Sequence, residues 1–442
     1  MSGIARLLLL FCLGSSVRAA DPRIAFDRAG NLGFGNAFTA GVINVQTRST
    51  LNTNAPWISR SNYFTTNTAG SVPVPLDSTQ GFYRLLSVDI STNTFRHYTN
   101  LLESYGILET IAGRGRTDTD TSHWSNSFEG EWATNVDLSR PHISFGDPWG
   151  NVLIVDQRSH SVLKVTPQGR LYTYAGTHIE GNGVGPDYAT NLHLRNPNGG
   201  WMRGDGTFYI LDTENGKVRR VDTNGWMTTL FTTAPMGDGR ACWVKSDESV
   251  VYFGSGGTPT SGAATNLNKW TRSSGAVTVV RNDFRELGNI MGDERTGNVY
   301  VSDRLANRVY RLDTNGVLTP IAGDGNQGVA VEGVPALQTP LALPRSVWFI
   351  PNGGFFITEH DLGSDRGNRI WYVDPAGIIH RWMNGTSSPV KRVGDGQWFY
   401  ANPTVAKVSR VRAINTDPFG NLIITESNYG YVRRIRFHRI NP

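Results

Sequence analysis

One stretch, from Pro141 to Gly176, recurs along the chain and restricts its fold more than any other feature. It opens with the run Ile143 to Phe145, turns through Asp147 Pro148 Trp149 Gly150, and continues as a compact apolar strand, Val152 to Val155, that ends on Asp156. A polar loop, a third run from Val162 to Val165, the turn Pro167 Gln168 Gly169 and a last run from Leu171 to Tyr174 complete it. Short apolar runs of period two, punctuated by turn-forming residues, read as a four-stranded antiparallel meander. A lone meander has nothing to bury its faces against, so copies must stack on it.

The copies align on the turn before the second strand. Gly206 Thr207 precedes Phe208 to Asp212, Gly297 Asn298 precedes Val299 to Asp303, Gly353 Gly354 precedes Phe355 to Glu359, and Gly420 Asn421 precedes Leu422 to Glu426. A degenerate copy runs from Val250 to Gly254, which makes six units. Leu108 Glu109 Thr110 Ile111 Ala112 Gly113 matches the outermost strand Leu318 to Gly323, yet stands before the first unit, while the last unit stops at its third strand, Val432 to Phe437. The spare strand and the missing one predict a closed ring with Leu108 to Ile111 paired onto Val432 to Phe437, which removes the exposed edges of an open array. The expected fold is all-β, a six-bladed β-propeller.

These units resemble the NHL repeats of six-bladed propellers with TolB-like architecture. The resemblance rests on Pro141, Pro197 and Pro344 ahead of the turn glycine, on the Gly-Asn turn, on the strand ending in Asp or Glu, and on linkers opening Ala175 Gly176, Ala322 Gly323 Asp324 Gly325 and Gly394 Asp395 Gly396. It implies the fold and not an activity, since such propellers include enzymes, receptors and interaction modules.

Residues 1–19 carry Arg6, an apolar segment from Leu7 to Leu13 and the small-residue site Val17 Arg18 Ala19, the pattern of a cleaved secretory signal peptide. Export would leave Cys242 as the single mature cysteine and exclude an internal disulfide. Residues 20–92 break the repeat. Their alternating runs, such as Leu86, Val88 and Ile90, predict a small β-sandwich-like domain, and the stretch resembles the short N-terminal β-modules of secreted bacterial proteins through Ala55 Pro56 Trp57 and Phe82 Tyr83 Arg84 Leu85. The propeller then spans 93–442. No later stretch has the apolar length of a membrane span. The net charge of +5 comes without a basic helix or an aromatic RNA-binding signature, so nucleic acid is not the expected partner. Anionic polymers and extracellular proteins fit an exported, Arg-rich chain better, and a monomer is expected.

Function must lie where one residue per blade opens the central channel: His142, Asn198, Asn289, Arg345 and Arg412, each eight positions before its turn glycine, and Arg240, placed by alignment of the degenerate unit, which lacks that glycine. All are polar and three are arginines. Guanidinium groups converging on one cavity repel one another unless an anion or a nearby carboxylate joins them. Two linkers, 114–138 with Trp124 and Trp132 and 395–407 with Trp398, flank the sixth blade and are expected beside Arg412 and His142, where aromatic faces would stack on an acidic sugar.

Asp156, Asp212, Asp303, Glu359 and Glu426 occupy equivalent positions, which marks them as structural acceptors rather than glycosidase carboxylates. The related gluconolactonases and peptide-amidating lyases use metals, but the ring lacks the acidic ligands a hard cation needs and only His142 reaches the channel, so no cofactor and no metal is expected. Asp361 and Asp365, in the longer loop of blade five, bring too few oxygens for a calcium site. The sequence therefore predicts a secreted binding or scaffold propeller holding an anionic glycan or a protein at a cationic channel mouth. The alternative is a hydrolase or lyase using His142 as acid–base group.

Overall fold

A computed structural model describes residues 23–26, 31–39, 41–48, 58–72, 82–89, 97–116, 121–256, 264–350, 353–360, 368–386, 392–401, 403, 405–427 and 429–437. The expected signal peptide, residues 1–19, and the loop carboxylates Asp361 and Asp365 lie outside them.

Six antiparallel meanders form the ring. Their inner strands are Pro141–Gly146, Gly199–Met202, Cys242–Val244, Leu287–Gly292, Pro344–Phe349 and Val411–Thr416, for blades 1 to 6 in turn. In blades 1 to 5 the first four strands follow one another in chain order outward from the inner strand. Blade 6 takes its fourth strand from the opposite end of the propeller sequence: Tyr105–Ala112 pairs with Tyr431–Phe437, with Leu108 opposite Ile435 and Ala112 opposite Val432. The predicted closure is therefore present, and it makes the ring one covalent and hydrogen-bonded circuit.

The closing strand is held as firmly as any other. Leu108 and Tyr105 are fully buried in the largest hydrophobic cluster, which also holds Trp382, Phe399, Ile435 and Phe437. Arg433, 1% exposed, donates to Asp395 and to the carbonyls of Val393 and Lys407, and so ties the incoming linker to blade 6. Its counterpart in blade 2, Arg219, does the same between Asp212 and the Gly183 carbonyl.

Ahead of the ring, two three-stranded sheets, Arg23–Phe26 with Leu32–Gly35 and Gly70–Val72, and Gly41–Arg48 with Ile58–Thr65 and Phe82–Asp89, share a cluster of Leu32, Ile43, Val45 and Leu85. The α-helix His97–Glu103 follows, with Tyr98 stacked on His380 at 4.4 Å and its hydroxyl donating to the Arg381 carbonyl. No helix among the described residues is long and apolar enough to cross a membrane.

If the closing strand holds the ring, its core residue should be as costly to truncate as one in a contiguous blade. Leu108→Ala is expected to lower the unfolding free energy by about 2–5 kcal/mol in a urea titration. A change within experimental error would mean that the ring does not depend on closure.

Candidate functional site

In every blade but the third, the backbone that delivers the channel residue is fixed by the acidic residue at the end of the neighbouring second strand. Asp156 accepts from the N–H of Ser139, Asp212 from Arg195, Asp303 from Arg285 and Glu286, Glu359 from Ala342 and Glu426 from Ser409, over 2.6–2.9 Å. Immediately after the pinned N–H, Arg140, Asn196, Leu343 and Arg410 adopt left-handed backbone, with φ between 46° and 68°. This region is unfavourable for side chains with a Cβ. The kink aims the chain into the inner strand, and the next side chains but one are His142, Asn198, Arg345 and Arg412. The equivalent carboxylates are thus scaffold acceptors, as their repetition implied.

Five of the six expected residues line one cavity: His142, Arg240, Asn289, Arg345 and Arg412, together with Ile143, Gly288 and Ala413. The cavity encloses roughly 260 Å³, its open mouth included. Asn198 is the exception. It is 1% exposed and not part of the lining. The adjacent Gly199 has no side chain, and a Cβ there would stand 2.8 Å from the Arg240 carbonyl, so blades 2 and 3 close together at that point. Beneath the mouth, Trp201 of blade 2 and Trp348 of blade 5 meet across the axis with ring centroids 5.8 Å apart, and Phe145 of blade 1 lies 6.1 and 6.3 Å from them. The rings plug the channel and make the cavity a dead end.

The charges are unevenly compensated. Glu286, buried at the start of blade 4, accepts from Arg240 at 2.8 Å and Arg304 at 2.7 Å and lies 3.6 Å from Arg345. Burial favours its neutral form, but Arg240, Arg345 and Arg304 outweigh burial and hold its carboxyl below the ordinary range. Asp238 adds a second partner to Arg240 at 3.0 Å. On the opposite side Arg412 donates from Nε to the Ser427 hydroxyl, and its Nη1 stands 3.5 Å from Nδ1 of His142. Among the described residues Arg412 has no carboxylate in ion-pair range. Burial and the surrounding guanidinium groups push the pKa values of both Arg345 and Arg412 well down from that of a free arginine.

His142 shares this environment. Burial first, then Arg412, Arg140, Arg345 and Arg240, depress its pKa far below that of a free imidazole, so the ring is neutral. A guanidinium only donates, so the Arg412 contact assigns the lone pair to Nδ1 and the proton to Nε2. That Nε2–H is buried and has no partner among the described residues. No group of three or more His, Cys, Asp or Glu side chains among the described residues is arranged to hold a metal ion.

Three expected aromatic residues lie elsewhere. Trp124 stacks on His178 at 3.6 Å and packs against blade 1. Trp132 bridges Arg170 beside the Gly169 turn, on the face opposite His142, with the Arg170 guanidinium 4.0 Å over its ring. Trp398 bridges Ile107 at the outer edge of blade 6. The reason is the path of the linkers. The long linkers into blades 1, 2 and 5 leave the mouth face, descend the outside of the next blade and are anchored by hydrogen bonds on both sides of a buried residue: Ala133 to Gly113 and Gly169, Ala189 to Gly176 and Gly225, Ala336 to Gly323 and Gly377. Trp132, Tyr188 and Pro335 precede those alanines, and Trp398 precedes Phe399, whose N–H donates to the Gly106 carbonyl.

Glu286, Arg304 and the three plug rings were missed from the sequence. Glu286 had a signal: it occupies the pinned position filled by Ser139, Arg195, Ala342 and Ser409 in other blades, and there it is the one acidic residue.

No protein-family model matches the chain, and no curated protein matches its sequence. Solved structures share its fold. A structural genomics protein of unknown function from Bacteroides thetaiotaomicron is 13% identical, with a TM-score of 0.56 over 92% of this chain and 94% of that one. An auxiliary nutrient binding protein from the same species, 12% identical, gives 0.52, and one from Bacteroides ovatus, 11% identical, gives 0.53, both over the same shares of the two chains.

The neutral state of His142 has a thermodynamic consequence. Its folded pKa is depressed, so below about pH 6.5 the unfolded chain binds a proton that the native ring refuses, and stability falls with acidification. Asp156, pushed up to about 7 by burial, acts in the opposite sense, so the difference between variants is the informative quantity. Between about pH 7.5 and about pH 5, His142→Gln should lose about 2 kcal/mol less than the wild type in chemical unfolding. Equal losses would mean that His142 is protonated in the native protein.

Proposed function

We propose that this propeller is an exported binding protein that holds the anionic group of its ligand in the arginine-lined mouth of the plugged channel. The carrying observation is the pair Arg345 and Arg412, both buried, of which one has only a distant share of Glu286 and the other, among the described residues, has no carboxylate in ion-pair range. Buried cations without full compensation are costly unless a bound anion completes the site. Export rests on the signal-like residues 1–19, and residues 20–92 are assigned as a separate β-module ahead of an NHL-type ring. The fold likeness to two proteins described as auxiliary nutrient binding proteins is in keeping with a binding role, and an acidic glycan is the ligand class that an Arg-rich mouth favours.

Mature protein incubated with pooled acidic and neutral oligosaccharides, filtered by size and read by mass spectrometry, is expected to retain intact acidic species. Arg345→Ala with Arg412→Ala should weaken retention at least about tenfold, since a hydrogen bond to a charged group contributes roughly 1.5–3 kcal/mol. New, smaller masses that disappear in His142→Ala would overturn the binding role in favour of a hydrolase or lyase. Retention of neutral species alone would overturn the anionic one.

A further inference from the structure

The geometry points to a socket for one terminal carboxylate, so that the protein reads the carboxylate-bearing end of a small acid or short acidic sugar rather than the length of a polyanion. This inference rests on the anion-binding reading of the mouth and narrows it.

Three observations carry it. The first is the dead end: with Trp201, Trp348 and Phe145 in contact across the axis, no chain passes through, and whatever enters the mouth enters by its tip. The second is the distribution of donors. Glu286 occupies Arg240 and Arg304, while Arg345 and Arg412, from adjacent blades, keep guanidinium N–H groups without a close carboxylate. His142 adds a buried Nε2–H with no partner among the described residues, held by a ring that Arg412 fixes through Nδ1. Asn289 accepts the Ile290 N–H on its carbonyl oxygen at 2.8 Å, which leaves its amide N–H₂ as a further donor at the cavity. Every functional group so placed donates, and a planar guanidinium matches a planar carboxylate edge to edge.

The third observation is the remainder of the lining. Ile143, Gly288 and Ala413 complete the lining and offer no polar side-chain atom. A tetrahedral sulfate or phosphate presents oxygens in all directions, and any set against the hydrocarbon of Ile143 or Ala413 would lose water without gaining a donor. A carboxylate presents both oxygens on one edge and carbon behind them, which is the arrangement the lining accommodates.

The test uses the full mature protein and ¹³C-formate, the smallest carboxylate, followed by NMR line broadening at constant ionic strength. Formate is expected to bind saturably with one site per chain, and glucuronate to displace it. Inorganic sulfate, inorganic phosphate and the methyl ester of glucuronate should fail to displace it at the same concentration. Arg345→Gln with Arg412→Gln should weaken formate at least tenfold with the thermal midpoint recorded alongside. If that variant does not fold, Arg412→Lys, which keeps the charge and loses the fork, should still weaken formate severalfold.

Displacement by sulfate or phosphate at lower concentration than by glucuronate would overturn the carboxylate socket, as would formate binding that is unchanged in a folded arginine variant. Acidic oligosaccharides retained by a protein that does not bind formate would sink the socket and leave the anionic mouth standing. Loss of both would remove the two together.

Discussion

The structure depends on one recurring interaction, the hydrogen bond from a backbone N–H at the blade entrance to the carboxylate that ends the adjacent second strand. A carboxylate buried at a strand end is unfavourable unless donors surround it. Here the donors come from a chain segment that must turn sharply into the channel. The same bond therefore gives the acid a donor, fixes the turn and sets which side chain reaches the axis. The left-handed residues Arg140, Asn196, Leu343 and Arg410 show that the turn is strained even so. Such strain persists only where surrounding contacts over-determine it. In blade 3, whose second strand runs Val250–Ser255 without a terminal acid, Arg240 is positioned instead by its ion pairs with Glu286 and Asp238.

On that frame the mouth is an electrostatic imbalance held in place by packing. Glu286 binds the guanidinium groups of blades 3 and 4 tightly and that of blade 5 loosely, so the positive charge left over is concentrated toward blades 5 and 6. His142 cannot relieve it by deprotonating, because it is already neutral, and its Nδ1 only accepts from Arg412. Low local dielectric strengthens every charged contact made there and raises the cost of leaving one unmade. The plug below keeps the cavity from opening to water on its far side.

The sequence was legible wherever structure repeats. Ring closure through Leu108 to Ile111 followed from a spare strand and a missing one, and the channel residues followed from counting back from the turn glycine. What was not legible depends on where loops travel in three dimensions. Trp132 and Trp398 were expected at the mouth because their linkers start there. The linkers in fact run down the outer strands, so an aromatic residue far along one reaches the opposite face. Asn198 was misplaced by the same kind of contact, a close approach of blade 3 that only Gly199 permits. Glu286 escaped notice because its role depends on three arginines from different blades, a convergence that no local pattern announces.

Repetition itself separates scaffold from site in this fold. Ring symmetry gives each position six near-equivalents, so a residue type that recurs across blades answers a need that recurs, such as pinning a turn or anchoring a linker. By that criterion the strand-end carboxylates are scaffold, and so are Trp132, Tyr188, Pro335 and Trp398, each packed ahead of an anchored linker residue. The mouth position behaves differently. It carries His, Asn, Arg and Arg on the same left-handed turn in blades 1, 2, 5 and 6, so its variety is not dictated by the local fold. Glu286 is the extreme case, one acid at a position where other blades carry Ser, Arg and Ala. A feature that breaks the symmetry while the frame around it keeps the symmetry is where a ligand's own asymmetry can be matched, and here that break lies between Glu286 on one side of the mouth and Arg412 on the other.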